Sequence, residues 1–271
     1  MRAAALFAAV PGGSRRASKG SAFGAAKWRN RRRERGYTGK MQPEVLDEIP
    51  FEIHLPALRD QMHLAEGSED AEAIGRLVEQ ARAVGRPKAL FRLAYVEGRG
   101  EDSVVIEALA FTSRVLRVNL DGVHRVFAYL GTCGRELHDW AESLDDMLER
   151  YWADAIKALA LSAAMQALNR HADAALGPGK TSGMNPGSLP DWPISQQRPL
   201  FDLLGDPRQA VSVELTDSFL MIPNKSISGI RFPTEATFES CQLCPREVCP
   251  GRRAPYDPNL YARRFAPKDN P

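Results

Sequence analysis

ALFRLAYVEGRGEDSVVIEALA, residues 89–110, decides the architecture. Two runs rich in apolar and β-branched residues, 89–96 and 103–110, flank the turn-forming Glu97-Gly98-Arg99-Gly100. Such a pair reads as a β-hairpin, so the sheet starts antiparallel. Upstream, Ile74, Leu77, Val78 and Ala81 recur at helical spacing and predict a helix over 71–84, stopped by Gly85-Arg86-Pro87. Before that helix, 51–53 reads as a short extended run leading into a polar stretch that ends near Gly67. Downstream, a short helix or turn is expected around 113–120, then a strand over 123–130 that delivers Gly131-Thr132-Cys133-Gly134.

The clearest helix follows. Ser143 and Asp146 have capping-box spacing. Met147, Tyr151, Ala155, Leu159 and Ala163 then repeat about once per turn, and Ala-rich sequence carries the pattern to Leu176, where Gly177-Pro178 stops it. The Gly-, Pro- and Ser-rich stretch 178–193 reads as loop, 193–204 as a short helix ended by Gly205, and 211–221 and 226–232 as strands around Pro223-Asn224-Lys225. Strands come in groups with helices between the groups. That order predicts an α+β fold, an antiparallel or mixed sheet flanked by helices with one long central helix.

Composition narrows the function. Of 271 residues, 44% are hydrophobic and 26% charged, an ordinary globular balance. The longest apolar stretch, 155–168, is broken by Lys157, Ser162 and Gln166, and falls short of the roughly 20 residues a membrane span needs. No membrane partner is expected, and the localisation expected is cytoplasmic. Residues 1–40 hold eight Arg and three Lys against Glu34 alone, a net +10, which leaves −8 for the rest of a chain whose total is +2. A basic tail on an acidic body argues against nucleic acid as a partner. Residues 1–40 are expected to be a disordered basic extension or a mis-assigned start, with Met41 as a second start. A weak signal-like core at 3–10 and an Arg- and Ser-rich, acid-poor transit composition are the other readings.

Several decoys fail. Gly177-Pro178-Gly179-Lys180-Thr181 invites a phosphate-loop reading, but Ala174 stands where that motif needs glycine, and a helix precedes where a strand is required. The histidines at 54, 63, 124, 138 and 171 are scattered, and no G-x-S-x-G is present. Nothing supports a hydrolase.

The cysteines carry more. Cys241, Cys244 and Cys249 form C-x2-C-x4-C, and Cys133 closes a predicted strand. Three thiolates from one turn plus a distant fourth make a workable set for zinc or an iron–sulfur cluster, with His138 as an alternative fourth ligand. Two disulfides, or free thiols, are the competing readings. Arg246, Arg252 and Arg253 stand beside the cluster, placed to shield an anionic centre or to dock an acidic partner.

MNPGSLPDWPISQQRPLFDLLGD (residues 184–206) and ELTDSFLMIPNKSISGI (residues 214–230), with LGTCGREL (residues 130–137) upstream, resemble the activation domain of vitamin B12 (cobalamin)-dependent methionine synthase in its stand-alone version. The resemblance covers most of 85–250. It implies a curved antiparallel sheet flanked by helices over 41–271, with a Cys-rich C-terminal segment at 241–253. It also implies that S-adenosylmethionine binds beside a loop, here Asn185, Pro186, Gly187, Ser188 and Asp191. The implied job is reductive reactivation of a corrinoid protein or corrinoid methyltransferase, with cobalamin supplied by that partner and an electron from a donor or a Cys-bound cluster. Aligned on Pro186-Gly187, the family's Arg-x-x-x-Gly-Tyr finds Gly183 at its Arg and Ser188 at its Tyr. The long helix bears no acid between 158 and 167. The chain lacks the D-x-H-x-x-G of corrinoid domains and the length for homocysteine and folate modules, so it is not a complete methionine synthase. Two other roles remain: a non-catalytic docking protein with a structural zinc, and a methyltransferase acting on another acceptor.

Overall fold

The computed structural model describes residues 41–249 and 251–267; the basic segment 1–40, expected to be an extension or false start, lies outside the described residues. The first half of the chain runs β1 (Glu44–Leu46), α1 (Leu55–Gln61), α2 (Glu69–Val84), β2 (Lys88–Arg99), β3 (Ser103–Ile106), β4 (Leu109–Thr112), α3 (Arg114–Asn119) and β5 (Arg125–Thr132). Then come α4 (Arg135–Glu142), α5 (Met147–Leu176), β6 (Thr181–Met184), α6 (Gln197–Leu204), α7 (Pro207–Val211), β7 (Glu214–Leu215), β8 (Met221–Ile222) and β9 (Ser226–Pro233).

The fold is α+β, and its main sheet has the order β4-β3-β2-β5-β9-β6, with β1 added alongside β2. Every pairing in it is antiparallel. Strand β2 is long enough to serve two neighbourhoods: residues 88–95 pair with β5, and its far end pairs with β3 past a bulge at Val96–Gly98. Side chains alternate across the sheet, as strand geometry requires. Leu90, Ala94, Val126, Ala128 and Leu130 face Trp192, Leu200, Leu204, Val115 and Leu116. Phe91, Leu93, Phe127 and Tyr129 face Leu168, Ala172, Ala175 and Leu176 of α5.

Helix α5 spans 30 residues because it closes two cores. Its C-terminal half covers the sheet, while Trp152, Ile156 and Ala160 pack against Leu58, Ile74, Leu77, Val78 and Leu137 from α1, α2 and α4. Trp152, Ile156, Ala160 and Ala164 form a buried stripe one residue on from the expected one, of which Ala155 is also buried while Met147 is 85% exposed and Tyr151 50%. The cap also moves. Asp146 accepts from the amides of Leu148 and Glu149, whereas Ser143 ends α4. Helix α4, eight residues long, is too short to announce itself by periodicity.

Four further expectations are corrected. The segment 103–110 is not one strand, because Glu107 and Ala108 take φ of 52° and 68° and fold it into the β3–β4 hairpin. A two-residue turn with both φ positive is normally flagged by Asn-Gly or Asp-Gly. Here Glu107 is held instead, by Arg92 at 3.3 Å and by the Tyr95 amide at 3.2 Å. The segment 178–193 is not all loop, since β6 pairs with β9 from Thr181↔Pro233 to Met184↔Ile230. Residues 211–221 form the end of α7 and a small β7–β8 hairpin. Phe51 and Ile53 join the α2 core rather than a sheet, and α1 occupies the polar stretch after them. Among the described residues, no helix is long and apolar enough to cross a membrane.

Candidate functional site

After β6 the chain reverses at Gly187, whose φ of 81° suits glycine. The Gly187 amide donates to the Trp192 carbonyl at 2.7 Å, and a Cβ at 187 would stand 2.7 Å from Ile194 Cδ1. Trp192 is fully buried against Phe111 and anchors the loop from below. Asp191 anchors it from the side. Its carboxylate accepts from the Ser113 hydroxyl and from the amides of Arg114 (3.2 Å) and Val115 (3.0 Å), at the N-terminus of α3. Asp191→Ala should therefore cost about 1–2 kcal/mol, the usual worth of a capping carboxylate. A denaturant midpoint equal to wild type would show that the loop is held by Trp192 alone.

This loop forms one wall of a groove of about 530 Å³, with Ile194 and Gln197 beside it, the β7–β8 hairpin opposite and the start of β9 as floor. Ligand pockets run roughly 300–1,000 Å³, so the volume admits a nucleoside-sized molecule. Its polar lining is neutral and ordered. Asn185 Nδ2 donates to Tyr129 Oη (2.9 Å) and to the Ser228 carbonyl (2.6 Å), leaving Oδ1 as the acceptor it offers. Gln197 Oε1 accepts from Ser228 Oγ at 2.9 Å, leaving amide donors. Asn224 Oδ1 accepts from Lys157 Nζ at 3.1 Å, again leaving donors. Pro186, Ile194, Leu220, Met221, Ile222 and Ile227 supply the apolar surface.

Lys157 is the buried charge nearest the groove. Its side chain is 4% exposed, and its ammonium lies 3.7 Å from both Glu142 and Asp154. Asp154 also binds Lys225 at 2.7 Å. Burial pushes the Tyr129 hydroxyl above its ordinary range, against the Asn185 hydrogen bond, so it stays protonated.

Of the residues expected at a ligand loop, Asn185 and Pro186 line the groove. Gly187 is exposed beside Ile194, Ser188 hydrogen-bonds the Asn185 carbonyl (2.6 Å) and Ser240 (3.3 Å), and Asp191 is committed to α3. Gln197, Asn224, Ser228 and Lys157 escaped sequence reasoning. Gln197 lies in the quoted stretch 184–206 and Asn224 and Ser228 in 214–230, but residue type and spacing did not mark them as ligand-facing, and Lys157 lies on the long helix. At Gly183, where the family pattern has arginine, a Cβ would sit 3.5 Å from the stem of Arg231, whose guanidinium is bound to Asn169, Asp173 and Thr181.

Among the described residues, the four cysteines expected at a metal centre are not brought together. Cys133 is buried in the core shared by α2, α4 and α5, and burial pushes its thiol up to about 12. Cys241, Cys244 and Cys249 belong to the segment after β9, where Leu243 packs on the other core. His138 stands apart from the three downstream cysteines as a ligand set, its Nδ1 3.9 Å from Glu142, and burial, then Lys157, lower its pKa. Among the described residues, no three His, Cys, Asp or Glu side chains converge to hold a metal ion. These residues do not fit an iron–sulfur cluster or zinc as a four-cysteine site.

No protein-family profile matches this sequence, and no curated protein matches it. Among solved structures, the chain is similar to the MetH reactivation domain bound to AdoHcy, with a TM-score of 0.55 at 15% identity over 74% of this chain and 82% of that one. The likeness establishes the fold, an α+β reactivation-domain architecture with its long helix against an antiparallel sheet.

Proposed function

We propose that the groove takes S-adenosylmethionine or its product S-adenosylhomocysteine, and that the protein serves as a reactivation-type domain for a corrinoid carried by a partner chain. One observation carries the reading. The loop that the sequence resemblance assigns to this ligand contributes Asn185 and Pro186 to a groove of about 530 Å³, on a fold shared with a domain bound to AdoHcy.

The chain's own residues supply binding and orientation. Asn185 Oδ1 accepts a ligand N–H or O–H, Gln197 and Asn224 donate to a carboxylate or ring nitrogen, and Leu220 and Met221 cover the thioether region. Lys157 fixes the rotamer of Asn224 from behind. When bound, S-adenosylmethionine would supply the methyl group whose irreversible transfer offsets an uphill cobalt reduction in the partner, with the electron from a separate donor, while Asn185, Gln197 and Asn224 would hold and orient it. The groove lining contains no carboxylate that would favour a sulfonium over a neutral thioether. The two ligands should therefore bind with similar affinity.

Calorimetric titration of the full chain with both ligands tests the reading. Saturable binding is expected, weakened about tenfold, or about 1.4 kcal/mol, by Asn185→Ala through the lost acceptor and its two anchoring bonds. Cob(II)alamin reduction in a corrinoid partner should fall with it. A wild-type chain that fails to bind either ligand at millimolar concentration would leave docking to a corrinoid protein as the role.

A further inference from the structure

A short 3-10 turn, Ser240–Leu243, carries Cys241, and Cys244 caps it. The Cys244 amide donates to the Cys241 carbonyl at 3.3 Å, so the two cysteines are the first and last residues of a closed four-residue turn. Such residues have Cα atoms within about 7 Å, and a disulfide takes Cα atoms about 4.4–6.8 Å apart. The turn thus brings the two Cα atoms into the range that a disulfide spans.

The turn is braced from outside. Gln242 Oε1 accepts from the Glu239 amide at 3.0 Å, and Arg253 pairs with Glu239 at 3.0 Å. The Arg252 guanidinium reaches the carbonyls of Cys241 (3.1 Å), Cys244 (3.3 Å) and Arg246. The Arg253 amide donates to Cys241 Sγ at 3.4 Å. The Cys241 sulfur thus has one backbone N–H donor, while the Arg252 guanidinium holds the turn by its carbonyls. Both thiols are free and only partly buried, open to a small reagent. Cys133 is the contrast, enclosed in the other core with its thiol at about 12.

We propose that Cys241 and Cys244 are a reversible dithiol–disulfide couple that exchanges with low-molecular-weight disulfides. One cysteine thiolate attacks the small disulfide R–S–S–R and expels one R–S⁻, giving a mixed disulfide. The second cysteine sulfur displaces the other R–S⁻ and closes the Cys241–Cys244 bond. The protein loses two electrons and two protons, and the small disulfide becomes two thiols. Cys249 and Cys133 stay outside the couple. The neighbouring Ser240 hydroxyl meets Ser188 Oγ, so the couple sits one hydrogen bond from the loop that walls the groove.

Peptide mapping of the full chain, equilibrated in graded mixtures of reduced and oxidised glutathione and then alkylated, tests this. Trypsin cuts after Arg231 and Arg246, so the peptide 232–246 holds both cysteines and Cys249 falls in the next. In oxidising mixtures that peptide should be two hydrogens lighter and unalkylated; in reducing ones it should be doubly alkylated. Cys244→Ser should abolish the lighter species, and Cys249→Ser and Cys133→Ser should leave it intact. A bond between the 232–246 peptide and Cys249, single glutathione adducts in its place, or thiols that persist in every mixture would each overturn the proposal.

Discussion

Gly134→Ala is expected to destabilise the protein by about 3 kcal/mol or more. Gly134 holds φ 93° and ψ 145°, a region that residues with a side chain avoid. A Cβ there would fall 2.1 Å from the Arg86 carbonyl oxygen and 2.8 Å from its carbon. Both are main-chain atoms, so no rotamer change relieves the overlap. Arg86 leads directly into β2, whose Lys88 pairs with Thr132, two residues before Gly134. Thr132 Oγ1 accepts both the Gly134 amide (3.2 Å) and the Ser226 hydroxyl (2.9 Å). Opening this corner therefore loosens β2, β5 and β9 together. Gly177→Ala is the control: at φ 87° and ψ −178° it carries the same kind of backbone strain, about 1–3 kcal/mol, but nothing lies within 4 Å of the added carbon. Chemical denaturation followed by tryptophan fluorescence ranks the pair. Equal midpoints for the two variants would show that the chain at 134 is not packed on Arg86.

Such corners explain what was legible in the sequence. The helix stripe Ile74, Leu77, Val78 and Ala81 is buried as its spacing predicts, and residues 89–96 lie within β2. Both signals come from burial against a single surface, which periodicity reports directly. The long helix misled because it is buried on several sides, so an Ala-rich stripe one residue off looks as good as Trp152, Ile156 and Ala160. Strand β6 reads Thr-Ser-Gly-Met, and only its pairing with β9 makes it a strand. The loop proposed to meet the ligand stood out through its resemblance alone, because Asn185 is a neutral amide whose partners, Tyr129 and Ser228, lie 56 and 43 residues away. The cysteine pattern held real information about a turn, but not about Cys133. Spacing along the chain says nothing of which core a distant residue enters.

The same close packing governs the groove, where Gly229→Ala should cost about 2–4 kcal/mol and abolish the S-adenosylhomocysteine binding proposed above. Gly229 lies opposite Tyr129 in the β5–β9 pairing. An added Cβ would stand 2.4 Å from Asn185 Nδ2, 2.6 Å from the Met184 carbonyl and 2.7 Å from Tyr129 Oη. The Met184 carbonyl is main chain on β6, so the edge strand must move. The Asn185 amide must leave Tyr129 and the Ser228 carbonyl, two bonds worth about 1 kcal/mol each. Tyr129, buried and held protonated, then keeps a hydroxyl without its partner. Combining Gly229→Ala with Tyr129→Phe removes one of the three overlaps and that orphaned hydroxyl. The double variant should recover about 1 kcal/mol relative to the additive sum, while binding stays lost because Asn185 remains displaced. Strict additivity would mean that Tyr129 and Asn185 do not share the space over Gly229. A Gly229→Ala protein of wild-type stability that still binds the ligand would place the ligand site elsewhere on the sheet.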